Sequence, residues 1–436
     1  MDILKKKIGF VSLGCDKNRV DLEKMISNIH SAGFEITGDA KSANVVIINT
    51  CSFIKTAREE SIQAILTAGK YKENKQLEHI IVTGCLNEMQ YSDLESSLPE
   101  VDAFVNVKDN DKIVDKIYAL YGEKPRVECV YSTVARELTT PHHYAYLKIA
   151  DGCDNFCSYC KIPYIRGRYR SESFDNLMIE AKNLVDSGVK EIILVAQDVT
   201  KYGSDFKDGT TLVTLIRRLS KLQGLHWIRL LYCYPESITD DLIAEIRDNS
   251  KVCKYLDIPL QHVDSDILKS MNRKNNYDKI VNLINKLRHE IPDIALRTTF
   301  IVGLPGEKKE HFNRLLQFVK DFKLNYVGFF KYSREEGTRA YDFAGQVSEK
   351  TKQNRLDTIS EVQYANVLET NANEVGKEYE VVVDRIEDDY ALCRSQYQNP
   401  ESDNVIYVNN LNMHIGEFYK VKIVAYEGYD LEGERL

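Results

Sequence analysis

The sequence predicts a three-part α/β protein. Its parts are a doubly wound α/β domain over residues 1–130, a partial (β/α)6 barrel over 144–370 and a small antiparallel β-barrel over 371–436. Three observations carry that expectation. Between Lys7 and about residue 130, apolar strand-type runs alternate with amphipathic helical ones, the pattern of a parallel sheet covered on both faces. From Tyr144 a strand-then-helix unit recurs about six times. Beyond Asn371 the texture changes to short β-type runs broken by polar and glycine-containing turns.

In the first domain, IGFVSLGC reads as a strand ending in a loop and KNRVDLEKMISNIHSAG as an amphipathic helix. ANVVIINTC is a buried parallel-type strand, a helix follows from about Thr56 to Lys72, and HIIVTGC is the next strand. Open parallel sheets gather ligands outside the carboxyl ends of their strands. Cys15, Cys51 and Cys85 each stand at such an end, two of them directly after a glycine, Gly14 and Gly84. Free cysteine is often just a small core residue. Three at equivalent strand ends instead point to one shared metal site, with thiolates that leave one metal position open.

A polar connector, residues 131–143, leads to the second domain, and its His142 and His143 beside Pro141 read as solvated and without a role. The barrel strands are YAYLKIA, EIILVAQD, WIRLLYCYP, YLDIPLQH, LRTTFIVG and YVGFFKYS. Helices separate them at Asn176–Ser187, Leu212–Leu222, Asp240–Asp248, Ile280–Glu290 and Lys309–Phe322. Spacing alone leaves a closed eight-unit barrel open as well. After the first strand comes DGCDNFCSYC, in which Cys153, Cys157 and Cys160 form a C-x3-C-x2-C run with Tyr159 before the last cysteine. Soft sulfur ligands select zinc, Cu(I) or iron–sulfur clusters. Structural zinc takes four protein ligands, whereas three cysteines suit a 4Fe–4S cluster with one open iron. Active sites of such barrels lie at the carboxyl ends of the strands. Gln197, Asp198, Gln261 and His262 are therefore candidates for cofactor or substrate contact, with Tyr234, Pro235, Arg297, Thr299 and GLPGE (Gly303–Glu307) behind them.

The tail runs EYEVVVDRI, YALCRS, NVIYV and FYKVKIVAY, a small β-barrel in the style of nucleic-acid-binding barrels. Its charge goes the other way. From Asn371 to Leu436 it holds fourteen acidic and six basic residues, an excess equal to the net charge of −8 of the whole chain. Such a surface attracts a basic protein and argues against RNA. Cys129, Cys233, Cys253 and Cys393 have no partner spacing and read as packing residues. With 43% hydrophobic and 28% charged residues, the composition is that of a soluble globular protein. No apolar run reaches the roughly 18 residues of a membrane span. MDILKKKIGFVSLG is too interrupted for a signal peptide and reads as a first strand, so a cytoplasmic location is expected.

C-x3-C-x2-C with an aromatic before its last cysteine resembles the radical S-adenosylmethionine superfamily. The whole layout, six cysteines in order ahead of a TRAM-like β-barrel, resembles the methylthiotransferases. Within that family, SLGCDKNRVDLE (Ser12–Glu23) resembles the RimO branch and its GC-x-KN-x-VD pattern, as does RLLYCYP; the tRNA-modifying branch reads nearer to GCQMN. Leu22 stands where a serine is usual, and Glu172 follows Ser171 where an arginine is usual. The resemblance implies two 4Fe–4S clusters. One, on Cys153, Cys157 and Cys160, cleaves S-adenosylmethionine to a 5′-deoxyadenosyl radical, with Tyr159, Gln197, Asp198, Gln261 and His262 at the cofactor. The other, on Cys15, Cys51 and Cys85, holds the sulfur that is methylated and transferred. It further implies an aspartate β-carbon of small-subunit ribosomal protein S-twelve as acceptor, and an electron donor such as flavodoxin or ferredoxin. The rival readings are a tRNA adenosine methylthiotransferase, a non-catalytic iron–sulfur RNA-binding protein and a zinc protein.

Overall fold

The structure, a computed structural model, describes residues 3–88, 94–125, 132–409 and 412–436. Cys129 and the start of the connector lie outside them. The chain divides into two compact units. One comprises Met1–Thr139, Tyr146–Asp154 and Cys160–Asn183, the other Thr140–Ala145, Asn155–Tyr159 and Leu184–Leu436.

The first unit is built on a parallel five-stranded sheet of order β2-β1-β3-β4-β5. These strands are β1 (Lys7–Ser12), β2 (Glu35–Thr37), β3 (Val45–Thr50), β4 (His79–Gly84) and β5 (Ala103–Phe104). Strand alternation sends Val45 and Ile47 to one face and Val46 and Ile48 to the other. The first pair packs with Leu22, Met25 and Ile29 of α1 (Asp16–Ser31). The second pair meets Ile65 and Ala68 of α2 (Lys55–Glu73). α3 (Leu94–Ser97) is a single turn, and α4 (Ile113–Leu120) adds Ile113, Val114 and Ile117 to the α1 side.

The barrel strands are β6 (Tyr144–Lys148), then β9 (Glu191–Val195), β10 (Trp227–Leu230), β11 (Val252–Asp257), β12 (Ala295–Val302) and β13 (Tyr326–Lys331). They stand in chain order in one six-stranded sheet, so the barrel is partial and open. The small β7 (Ala150–Asp151) and β8 (Arg170–Ser171) pair antiparallel and close the base of the cysteine loop, which also carries the turn α5 (Ile162–Ile165). The helices are α6 (Phe174–Asp186), α7 (Leu212–Leu219), α8 (Asp240–Asp248), α9 (Ser265–Ser270), α10 (Tyr277–Glu290) and α11 (Lys309–Phe322). A further helix, α12 (Glu349–Ala372), has 24 residues and was not anticipated.

In the tail, β14 (Glu378–Glu387), β15 (Tyr390–Ser395), β16 (Ile406–Asn409), β17 (Phe418–Glu427) and β18 (Asp430–Arg435) form a closed barrel of order β14-β15-β16-β18-β17. Val381, Val383, Ala391, Ile406, Val421 and Ile423 fill it. The barrel is not wholly antiparallel as expected: β16 and β18 pair in parallel, because the connection through β17 returns the chain in the same sense. His143 also departs from expectation. It is buried, with Nε2 2.7 Å from Asp384 Oδ1, and its carbonyl accepts from the Lys190 and Glu191 N–H groups; only His142 is exposed. Cys233, Cys253 and Cys393 are buried packing residues.

Candidate functional site

Cys15 lies three residues beyond the end of β1 and is the N-cap residue of α1, while Cys51 directly follows β3 and Cys85 directly follows β4. These strands are neighbours in register, with Ser12 beside Asn49 and Thr50 beside Gly84. The three cysteines therefore leave one end of the sheet side by side. Leu13 N–H donates to Asn49 O and Cys85 N–H to Thr50 O, both at 2.9 Å, which fixes the strand ends. Glycine is required here. At φ +93° a Cβ on Gly84 would stand 2.4 Å from Thr50 O, and at φ +96° one on Gly14 would stand 3.0 Å from Cys51 Cβ. Cys15 is exposed, Cys51 half-buried and Cys85 buried. Burial pushes the Cys51 thiol up, and pushes Cys85 up to about 11 against the opposing pull of Arg166. Metal binding to such thiols releases their protons, since the thiolate is the ligand.

Behind the cysteines lies a buried polar network that sequence reasoning missed. Asn18 donates to Leu13 O at 3.2 Å and Thr50 O at 2.9 Å, and accepts from Arg166. Asp21 accepts from Arg166 at 2.7 Å and from Lys148; Asp151 accepts from both at 3.2 Å. Glu23, with no exposed surface, accepts from Thr139 N–H and Oγ1 at 2.8 Å and from Arg136. Burial pushes the Asp151 carboxyl up, but Lys148 and Arg166 outweigh it and hold the group well below the usual range. The Ser12–Glu23 motif thus has a mechanical meaning: its polar residues clasp Arg136, Thr139, Lys148 and Arg166 of the same unit. Removing one member of such a buried pair costs about 3–5 kcal/mol.

The Cys153–Cys160 loop is local in sequence and held by its neighbours. In the first unit, Cys153 N–H donates to Gly167 O at 3.1 Å, and Ile162 N–H approaches Cys160 Sγ at 3.5 Å. Gly152, at φ +78°, cannot carry a side chain, since its Cβ would lie 2.1 Å from Arg168 O. In the second unit, Asn272 Nδ2 donates to Asn155 O at 3.0 Å and Phe156 O at 3.1 Å. Ser158 N–H donates to Met271 O at 3.0 Å, and Ser158 O accepts from Ala340 N–H at 2.8 Å. Arg273, another residue sequence reasoning missed, lies 4.1 Å above the Tyr234 ring with Nη1 4.0 Å from Cys157 Sγ. Tyr159 packs against Ile267, Met271, Leu304 and Ala340.

The other predicted residues divide. Gln197 is half-buried just after β9. Asp198 is fully buried; Thr200 Oγ1 donates to it at 2.5 Å and Asn155 Nδ2 at 3.4 Å, and burial pushes its carboxyl up. Gln261 sits at φ +68°, held to β12 by N–H to Thr299 O and by Ile301 N–H to its own carbonyl, both 2.8 Å. Such a backbone costs about 1–3 kcal/mol and tends to cluster at functional sites. His262 is fully buried. Its Nδ1 accepts from Asp264 N–H at 2.9 Å and its Nε2 lies 3.9 Å from Glu307, with burial pushing its pKa down to about 3. The GLPGE loop is tied by Gly303 N–H to Glu307 Oε2 at 2.7 Å. Arg297 does not join this group: early in β12, it pairs with Asp257 at 3.4 Å and with Asp403 of the tail at 3.2 Å.

Elsewhere, among the described residues, Asp264, Asp266 and His311 bring three donor atoms within 4.8 Å of one another.

Comparison with known proteins agrees in all three parts. Residues 147–319 match the Radical SAM superfamily, residues 7–106 the Uncharacterized protein family UPF0004, and residues 375–436 the TRAM domain. Proteins named "Ribosomal protein uS12 methylthiotransferase RimO" from Clostridium botulinum (Loch Maree) and Clostridium tetani are each 45% identical to this chain. Each match covers 98% of both proteins. The chain belongs to the RimO methylthiotransferase family. It is therefore a radical S-adenosylmethionine enzyme, and its family brings a 4Fe–4S cluster and S-adenosylmethionine. The radical S-adenosylmethionine methyltransferase TsrM from Kitasatospora setae shares the fold at TM-score 0.56 and 14% identity, over 77% of each chain. The cobalamin-dependent radical enzyme OxsB does so at TM-score 0.53 and 12% identity, over 82% of this chain and 56% of its own. Among the described residues no helix is long and apolar enough to cross a membrane.

Proposed function

We propose that the chain adds a methylthio group to the β-carbon of an aspartate in ribosomal protein uS12. It would use two 4Fe–4S clusters, one on Cys153, Cys157 and Cys160 and one on Cys15, Cys51 and Cys85. The observation that carries the two-cluster reading is the convergence of Cys15, Cys51 and Cys85 at the ends of three adjacent strands. The substrate follows the printed name of relatives that are alike over nearly their whole length. When bound, the clusters supply the one-electron cleavage of S-adenosylmethionine and the sulfur to be transferred, the electron coming from a carrier such as flavodoxin or ferredoxin. This chain's own residues bind and orient. Tyr159, Gln197, Asp198 and Gln261 hold the cofactor, while His262, its ring engaged by Asp264, fixes the strained Gln261 backbone.

The tail receives the partner. Glu387, Asp388 and Asp389 are exposed at the turn between β14 and β15, next to Tyr390, which is 49% exposed. Arg394, one of the tail's six basic residues, is buried on Asp384 and Glu191 and does not offset that surface. This favours a basic protein over RNA. The decisive experiment is anaerobic incubation with S-adenosylmethionine, a reductant and either ribosomal subunits or tRNA. A methylthio mass gain on the uS12 peptide is expected; gain on tRNA nucleosides alone would overturn the substrate assignment. Replacing Glu387, Asp388 and Asp389 by lysine should weaken uS12 binding about tenfold at low salt and less at high salt, with S-adenosylmethionine cleavage intact.

A further inference from the structure

Arg166 stands six residues beyond Cys160 in the chain, yet its side chain, 3% exposed, ends beside Cys85 at the strand end. Its two edges have different partners. Nη1 meets Asp21 at 2.7 Å and Asp151 at 3.2 Å. Nη2 donates to Asn18 Oδ1 and lies 3.9 Å from Cys85 Sγ. Asn18 Oδ1 is itself 3.7 Å from that sulfur, so the guanidinium is aimed by the carboxamide that also ties the strand ends. Asp21 and Asp151 balance Lys148 and Arg166, which leaves the buried quartet neutral. Its positive end faces Cys85. An N–H donated to a ligand sulfur, and a buried cation beside it, favour whichever cluster state carries more negative charge.

We propose that Arg166 is a positioning residue that raises the reduction potential of the cluster on Cys15, Cys51 and Cys85; this rests on the two-cluster reading above. One electron enters the cluster from the reductant, no bond forms or breaks, and the added negative charge is met by the Nη2 edge. Lysine at this position keeps the charge but cannot hold Asn18 and both carboxylates at once.

The test uses the full chain with Cys153, Cys157 and Cys160 replaced by alanine, so that only the strand-end cluster remains. Its potential is read by dithionite titration with electron paramagnetic resonance. Arg166→Gln should lower the reduced-to-oxidised ratio at a fixed potential at least tenfold, which is 59 mV for one electron. Arg166→Lys should recover most of that shift. In Arg166→Gln with Asp151→Asn the quartet's charge is again balanced and folding is protected, yet the potential should stay low. A return to the parent value in that double variant, or no shift in either glutamine variant while iron is retained, overturns the role of Arg166. Absence of iron from the parent triple-alanine protein would overturn the two-cluster reading itself, and this inference with it.

Discussion

The two cysteine trios solve one problem in opposite ways. Cys15, Cys51 and Cys85 are distant in sequence and are brought together by a rigid parallel sheet, so their geometry is that of three strand ends. Cys153, Cys157 and Cys160 lie within one short loop whose shape is borrowed from Gly167, Met271, Asn272 and Ala340. Each trio nonetheless sets a buried arginine about one hydrogen bond from a buried cysteine, Arg166 at 3.9 Å from Cys85 and Arg273 at 4.0 Å from Cys157. Sheet and loop differ in what can damage them, and that difference can be tested.

The largest expected effect separates the trios outright. Alanine at Cys153, Cys157 and Cys160 should abolish 5′-deoxyadenosine formation and leave about half the iron. Alanine at Cys15, Cys51 and Cys85 should spare that cleavage and stop methylthio transfer. Transfer that survives the second replacement would show that the sheet trio is not the sulfur site.

Next come the glycines. Gly84→Ala forces a side chain into left-handed backbone against Thr50 O and should cost about 1–3 kcal/mol from strain alone, with iron lost from the sheet trio only. Gly152→Ala, pressed against Arg168 O, should do the reverse. Equal iron loss from both sites in either variant would break the contrast.

The barrel side also carries a pH sensitivity. His262 is held neutral, with a pKa down to about 3 against 6.5 for a free imidazole. Its contribution is complete above about pH 6.5 and is lost as pH falls, because the unfolded chain then takes the proton first. Between pH 6.5 and 5 that is about 2 kcal/mol. Urea melts at the two pH values should show the loss in the wild type and a flatter response in His262→Asn; parallel responses would sink the reading.

Smallest is Asn272→Ala, which removes two hydrogen bonds from the loop backbone and should cost about 1–2 kcal/mol. Faster release of iron to a chelator, confined to the loop site, is the readout.

How much could be read in advance follows from range. The loop run was legible because its cysteines are neighbours in sequence, and the meeting of Cys15, Cys51 and Cys85 at one end of the sheet was legible because a parallel fold puts strand ends together. The partners of Asn18, Asp21 and Glu23 were not legible, since Arg136, Lys148 and Arg166 lie more than 100 residues away and ion pairs leave no periodic trace. α12 escaped because it buries Lys352, Gln363, Asn366 and Asn371 beside Ile359 and Val367, which erases the apolar stripe that marks a helix. His143 looked solvated because its partner, Asp384, is 241 residues on.

The clasp of α1 on Arg136, Thr139, Lys148 and Arg166 bears on how this architecture can be recombined. A graft that moved residues 1–130 onto a different barrel would carry Asp21 and Glu23 without Arg136, Lys148 and Arg166. Two carboxylates would then be stranded in a dry interior. The transferable module is thus the α/β domain together with its three cationic counterparts, and a first domain exchanged without them cannot keep seated the helix that begins just after Cys15.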